Sequence, residues 1–72
     1  MKTYVTFGSN HIHKVNGKVF DGNCVAVIEC ENAEEGRKKA FEYFGPEFSF
    51  EYPEEYWDES KMIYFPRGYV HI

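Results

Sequence analysis

The chain opens on a strict alternation. In Met1 to Phe7, Thr3, Val5 and Phe7 take one parity and Lys2, Tyr4 and Thr6 the other, the period of two that sends successive side chains to opposite faces of a strand. Gly8 ends or bulges the run, and Ser9, Asn10 and His11 read as a polar strand exit. There Gly8 supplies backbone freedom and Asn10 a local turn hydrogen bond. In "VNGKVFDGN", Asn16-Gly17 is the signature of a type I′ hairpin and Asp21-Gly22 marks a second turn, which predicts a small exposed hairpin. Cys24 to Cys30 (CVAVIEC) is short, β-rich and apolar on both parities, as expected of a strand with neighbours on either side.

The period then changes. Asn32 is a good N-cap and Glu35, three residues on, completes a capping box, while Glu34 and Glu35 suit the positive end of the helix dipole. Ala33, Gly36, Arg37, Ala40, Phe41 and Phe44 follow the 3.6 period of one helical face, whose small members let the helix lie close on a sheet. Gly45-Pro46 stops it. Phe48, Phe50 and Tyr52 alternate with Ser49 and Glu51 in a third strand ended by Pro53. "EEYWDES" is an acidic, aromatic connector with room for one helical turn. Met62 to Phe65 and Tyr69 to Ile72 are strand-like runs split by the turn Pro66-Arg67-Gly68. The order predicts an α+β fold, a three- to four-stranded, mostly antiparallel sheet with one helix packed on one face.

Length and composition narrow this further. Seventy-two residues are too few to divide between two cores, so residues 1–72 form one small domain. With 43% apolar and 19% aromatic residues, the chain has enough large side chains to fold without a metal or other cofactor. Cys24 and Cys30 lie six residues apart in one strand, about 20 Å at ~3.3 Å per residue, whereas a disulfide spans at most about 7 Å. Unbridged cysteines and no signal peptide before Met1 point to a reduced, cytoplasmic protein. No run of about 20 apolar residues could span a membrane. An exposed edge strand in so short a chain predicts a noncovalent homodimer.

The net charge of −4 is unevenly placed. Glu29 to Glu59 holds eleven acids against Arg37, Lys38 and Lys39, a balance of −8, and the remainder sets Lys2, Lys14, Lys18, Lys61 and Arg67 against Asp21, a balance of +4. A nucleic-acid binder presents a basic face to phosphates, so direct nucleic-acid binding is not expected. A protein partner with a basic surface is.

Candidate chemistry is sparse. His11 and His13 on a strand would share a face and, with Cys24 or His71, could make an N/S metal site, but paired ligand spacing is missing and no metal is expected. Cys24, Cys30, Ser9 and His11 supply nucleophile and base types, yet both cysteines fall in a segment expected to be buried and inert. Glu51, Glu54, Glu55 and Asp58 could pair as carboxylates, although an acid cluster is more often a solvated face. Catalysis is therefore not expected. Tyr52, Tyr56 and Trp57 interleaved with Glu54, Glu55, Asp58 and Glu59 are more informative, since aromatics beside charges are enriched at interface hot spots. Trp57 has two readings, an anchor for a partner or a plug folded back on the small core.

Tyr4-Val5-Thr6-Phe7-Gly8 with His11, Val25-Ala26-Val27-Ile28-Glu29, Arg37, Ala40-Phe41, Phe44-Gly45 and Phe48-Ser49-Phe50-Glu51-Tyr52 together resemble a family of small, uncharacterised phage and prophage proteins. The likeness covers residues 3 to 53 and fades after that, and Phe48 stands where the family often has Trp. It implies a viral setting, hence a host-cell cytoplasm, and brings no activity with it. Together these features predict a noncatalytic binding protein that inhibits a host or antiviral-defence protein through residues 52 and 54–59, competing as a nucleic-acid mimic would. The alternative is a small-ligand or nucleotide module with a pocket around Asn10 and His11.

Overall fold

The computed structural model describes residues 1–72. Strands β1 (Lys2–Thr6), β2 (His13–Val15), β3 (Lys18–Phe20) and β4 (Cys24–Glu29) precede helix α1 (Ala33–Phe44), and β5 (Phe50–Pro53) and β6 (Gly68–His71) follow it. Between β5 and β6 lie two 3-10 segments, Glu54–Tyr56 and Glu59–Tyr64. The main sheet has the order β5-β1-β4-β6, and β2 and β3 form a separate two-stranded sheet. Strand β1 is antiparallel to β4 and β5, whereas β6 runs parallel to β4. The fold is α+β with a mixed sheet, in which the expected antiparallel pairings gain one parallel edge.

Register fixes the two faces. Thr3 pairs with Ile28 and Val5 with Ala26, and side chains opposed across a ladder share a face. That face carries Thr3, Val5, Ala26 and Ile28, all buried, beneath Gly36, Ala40 and Phe44 of α1. The helix stripe is narrower than its sequence period implies, because Ala33, Arg37 and Phe41 are exposed. Only the line 36, 40, 44 lies low on the sheet, and a Cβ on Gly36 would come within 3.0 Å of both the Thr3 Cβ and the Cys30 Sγ. The Asn32 N-cap forms as expected, with Glu35 N–H donating to Asn32 Oδ1 at 2.8 Å, but the Glu35 carboxylate reaches one residue further back than a capping box and accepts from Glu31 N–H at 2.8 Å.

The β2–β3 hairpin closes the end of this core. Asn16 and Gly17 have φ of 52° and 76°, the paired positive values a type I′ turn requires. Phe20 is fully buried and meets Phe44 edge-on at 5.3 Å, with Phe7 against both.

Three expectations change. In the run Met62 to Phe65 the first three residues end the second 3-10 segment and Phe65 is its C-cap, so the expected strand is absent. Asp58 caps that segment through Ser60 N–H at 3.0 Å, and Phe65 N–H donates to Met62 C=O at 3.1 Å. Met62 and Phe65 are half-buried while Ile63 and Tyr64 are exposed, a period of three that alternation would not give. Phe48 precedes β5 and packs on Phe41 at 5.2 Å instead of pairing. Gly8 does not use the left-handed region, and the close atom a Cβ would meet there, the Ser49 Oγ at 2.9 Å, lies at the end of a side chain that can rotate away.

Candidate functional site

The second face of the sheet, away from α1, carries the other parity: Tyr4 and Thr6 from β1, Val25 and Val27 from β4, Phe50 and Tyr52 from β5, Tyr69 and His71 from β6. The connector from β5 to β6 must travel from one edge of the sheet to the other, and it does so over this face. Trp57, between its two 3-10 segments, stacks on Tyr4 with ring centroids 5.0 Å apart and planes 13° from parallel. Its Nε1–H donates to the Tyr69 hydroxyl at 2.9 Å. Tyr52 lies 5.4 Å from Trp57 and 5.9 Å from Phe50, and the Lys61 Nζ sits 4.6 Å over the Tyr52 ring. Phe50, Tyr52, Trp57, Tyr4 and Tyr69 thus form one continuous aromatic strip.

Trp57 is half-buried, and the residues beside it are open. Tyr56, Ile63 and Tyr64 are 70%, 80% and 71% exposed, and Glu54, Glu55, Asp58 and Glu59, on either side of Tyr56 in the connector, are exposed too. Glu54 Oε1 accepts from Lys2 N–H at 3.1 Å, and Asp58 is held below its ordinary range by its bonds to Ser60. The Tyr4 hydroxyl is pushed up by burial, then by Tyr69 and by Glu54 and Glu59. The structure therefore brings Tyr52 and Glu54 through Glu59 to one side of the molecule. Sequence reasoning missed Tyr4, Phe50 and Tyr69 as members of the strip. Their parity was legible, but their side-by-side placement depends on the pairing of β5 and β6.

The other candidates lie elsewhere. The loop after β1 is closed by His11 N–H donating to Gly8 C=O at 3.1 Å, a backbone turn in place of the expected Asn10 side-chain bond. The depression beside it is lined by Phe7, Ser9, Ile12, Asp21, Gly22 and Asn23, with neither Asn10 nor His11 in its wall. His13 is half-buried: its ring packs on Phe7 and Phe44, and Nε2 is 2.6 Å from Glu47 C=O. Cys24 and Cys30 are free and buried, and burial pushes both thiols up from their ordinary value. No group of three or more His, Cys, Asp or Glu is placed to hold a metal ion, and no helix is long and apolar enough to cross a membrane.

Comparison with family models, with curated proteins and with solved structures finds no match.

Proposed function

We propose that the chain is a noncatalytic binding protein, phage-encoded, that occupies a basic host or antiviral-defence protein in the host cytoplasm and competes there with a nucleic acid. The observation that carries this reading is the exposure of Tyr56 among Glu54, Glu55, Asp58 and Glu59, with Ile63 and Tyr64 also exposed further along a connector seated by the Trp57–Tyr4 stack. Exposed rings supply rigid contact area, and the carboxylates steer a cationic partner and favour it over neutral competitors. Trp57 then serves mainly to hold the connector, and Tyr56 and Tyr64 are the anchors.

Affinity purification from host lysate, followed by binding measurements on the captured protein, tests this. Tyr56→Ala should cost at least about 2 kcal/mol of binding with no change in melting temperature. Joint replacement of Glu54, Glu55 and Glu59 by Lys should lower the association rate and remove its salt dependence. Binding that is unchanged by both variants defeats the proposal. A copurifying ultraviolet-absorbing small molecule displaced by changes at Asn10 and His11 would favour the ligand-binding alternative.

A further inference from the structure

The two edges of the main sheet differ. At the end of β6, Lys18 Nζ donates to His71 C=O at 2.6 Å, and just before its start Arg67 bonds to the hairpin and the turn after it through Val19 C=O at 2.9 Å and Asp21 at 3.1 Å. Along β5 nothing pairs on the side away from β1. A groove follows that open edge, lined by Arg37, Phe41, Phe48, Ser49, Phe50 and Glu51. Phe50 is 62% exposed and Phe41 43% exposed, so both offer apolar area at the one edge whose backbone is unpaired. An open edge with apolar flanks is a template for another strand.

The charges of the groove identify the occupant. Arg37 lies over the Phe41 ring, 5.7 Å from its centroid, and forms no ion pair within the chain, where the salt bridges are Lys39–Glu35 and Arg67–Asp21. Glu51, opposite Val5 in the ladder, points to the same side of the sheet as α1. One cation and one carboxylate in one groove make it complementary to itself under a two-fold rotation, with Arg37 of each copy facing Glu51 of the other. Pro53, lacking an N–H, limits pairing to the few residues before it. Under a two-fold rotation each β5 pairs once, so self-pairing through β5 closes at two copies and does not propagate.

We infer that a second copy of this chain docks on β5, antiparallel strand to strand, making one continuous eight-stranded sheet from two four-stranded ones. The interface lies at β5 and does not depend on the proposed inhibitory role. Sedimentation equilibrium of the full chain, from about 5 μM to about 1 mM, reads it directly, because an interface of this small class is expected to be weak. The wild type should pass from 8.5 kDa to twice that mass. Arg37→Glu alone sets carboxylate against carboxylate and Glu51→Arg alone sets cation against cation, so each should weaken dimerisation about tenfold or more. Mixed one to one, they restore both pairs and should dimerise as the wild type does. Should Glu51→Arg fail to fold on losing its bond from the Thr3 hydroxyl, Arg37→Glu and Phe50→Asp carry the test. At concentrations where the protein is monomeric, Arg37→Glu should leave the melting temperature intact and Phe50→Asp, which gives up its contact with Tyr52, should lower it by no more than about 5 °C, while each weakens the dimer about tenfold. A wild type that keeps the monomer mass throughout overturns the inference and leaves the edge to an extended segment of another protein. Dimers unaffected by these variants overturn it too.

Discussion

Trp57 lies flat on Tyr4, the two rings 13° from parallel and 5.0 Å apart, while its indole N–H reaches the Tyr69 hydroxyl on the far edge strand. A single side chain of the connector thereby touches β1 and β6 and fixes the path between them. Trp57→Ala should therefore destabilise the domain by about 2 to 3 kcal/mol, below the ~3 to 5 kcal/mol of a wholly buried ring because Trp57 is half-buried. In a domain of this size that lowers the melting temperature by about 10 to 20 °C. Trp57→Phe keeps the stack and should lose less than half as much. Thermal melts by circular dichroism check both, and equal losses for the two would show that the N–H bond, not the stack, holds the connector.

Gly36 and Gly45 should fail for different reasons when replaced. At Gly36 the added methyl would press on Thr3 Cβ and Cys30 Sγ at 3.0 Å. That overpacking costs about 1 to 3 kcal/mol against the ~1 kcal/mol gained in helix propensity, so Gly36→Ala destabilises. At Gly45 nothing lies within 4 Å of the added Cβ, but φ is +60°. With ψ at −152° Gly45 lies outside the left-handed helical well, in a region open essentially to glycine alone, so Gly45→Ala and Gly45→Asn should each cost about 1 to 3 kcal/mol. Denaturant midpoints for the three variants separate clash from backbone strain.

Stability should fall in alkali through the thiols. Burial raises Cys24 and Cys30 above their ordinary 9.0, so the folded thiols keep protons that the unfolded thiols release. The contribution is whole below the unfolded value, and is lost as pH rises from about 9 through the folded values. Urea midpoints from pH 7 to 10 should stay level and then drop. The drop should be shallower in Cys24→Ala than in wild type, each referred to its own midpoint at pH 7. A parallel decline in the two proteins would remove Cys24 from the account.

The opposite sign holds at the start of α1. Glu35 is held below its ordinary 4.5 first by its bond from Glu31 N–H, and also by Lys39 and Lys38. Its contribution is present above the unfolded value and lost as pH falls through the folded one. Glu35→Gln should flatten the decline in stability between about pH 4.5 and 3. Protection of the Glu31 amide, referred to its intrinsic exchange rate at each pH, should fall over the same range in wild type.

Much of the architecture follows from short-range rules. The alternation of Met1 to Phe7, the two-sided apolar run after Cys24, the Asn32–Glu35 cap, Asn16-Gly17 and Gly45 each act through contacts or dihedrals within a few residues, and such rules can be read along a chain. The run Met62 to Phe65 misled because four residues are compatible with either period, and the choice fell to Asp58 as a cap. The narrowing of the α1 stripe was hidden as well. Gly36, Ala40 and Phe44 became the buried line only when the helix settled against Thr3, and no residue of α1 encodes the position of β1.

The candidate site divides in the same way. Sequence by itself determined that Tyr52, Tyr56 and Trp57 stand among carboxylates, since neighbours along a connector remain neighbours in space. Tertiary structure alone decided that Trp57 is half-buried on Tyr4, that Tyr69 receives its N–H, and that Tyr56, Ile63 and Tyr64 are left open. It also decided which edge of the sheet is free. Those outcomes rest on β6 joining β4 in parallel at the far side from β5. That pairing forces the connector across the second face, and a pairing between strands more than 40 residues apart is a balance of loop closure against burial that no local pattern records.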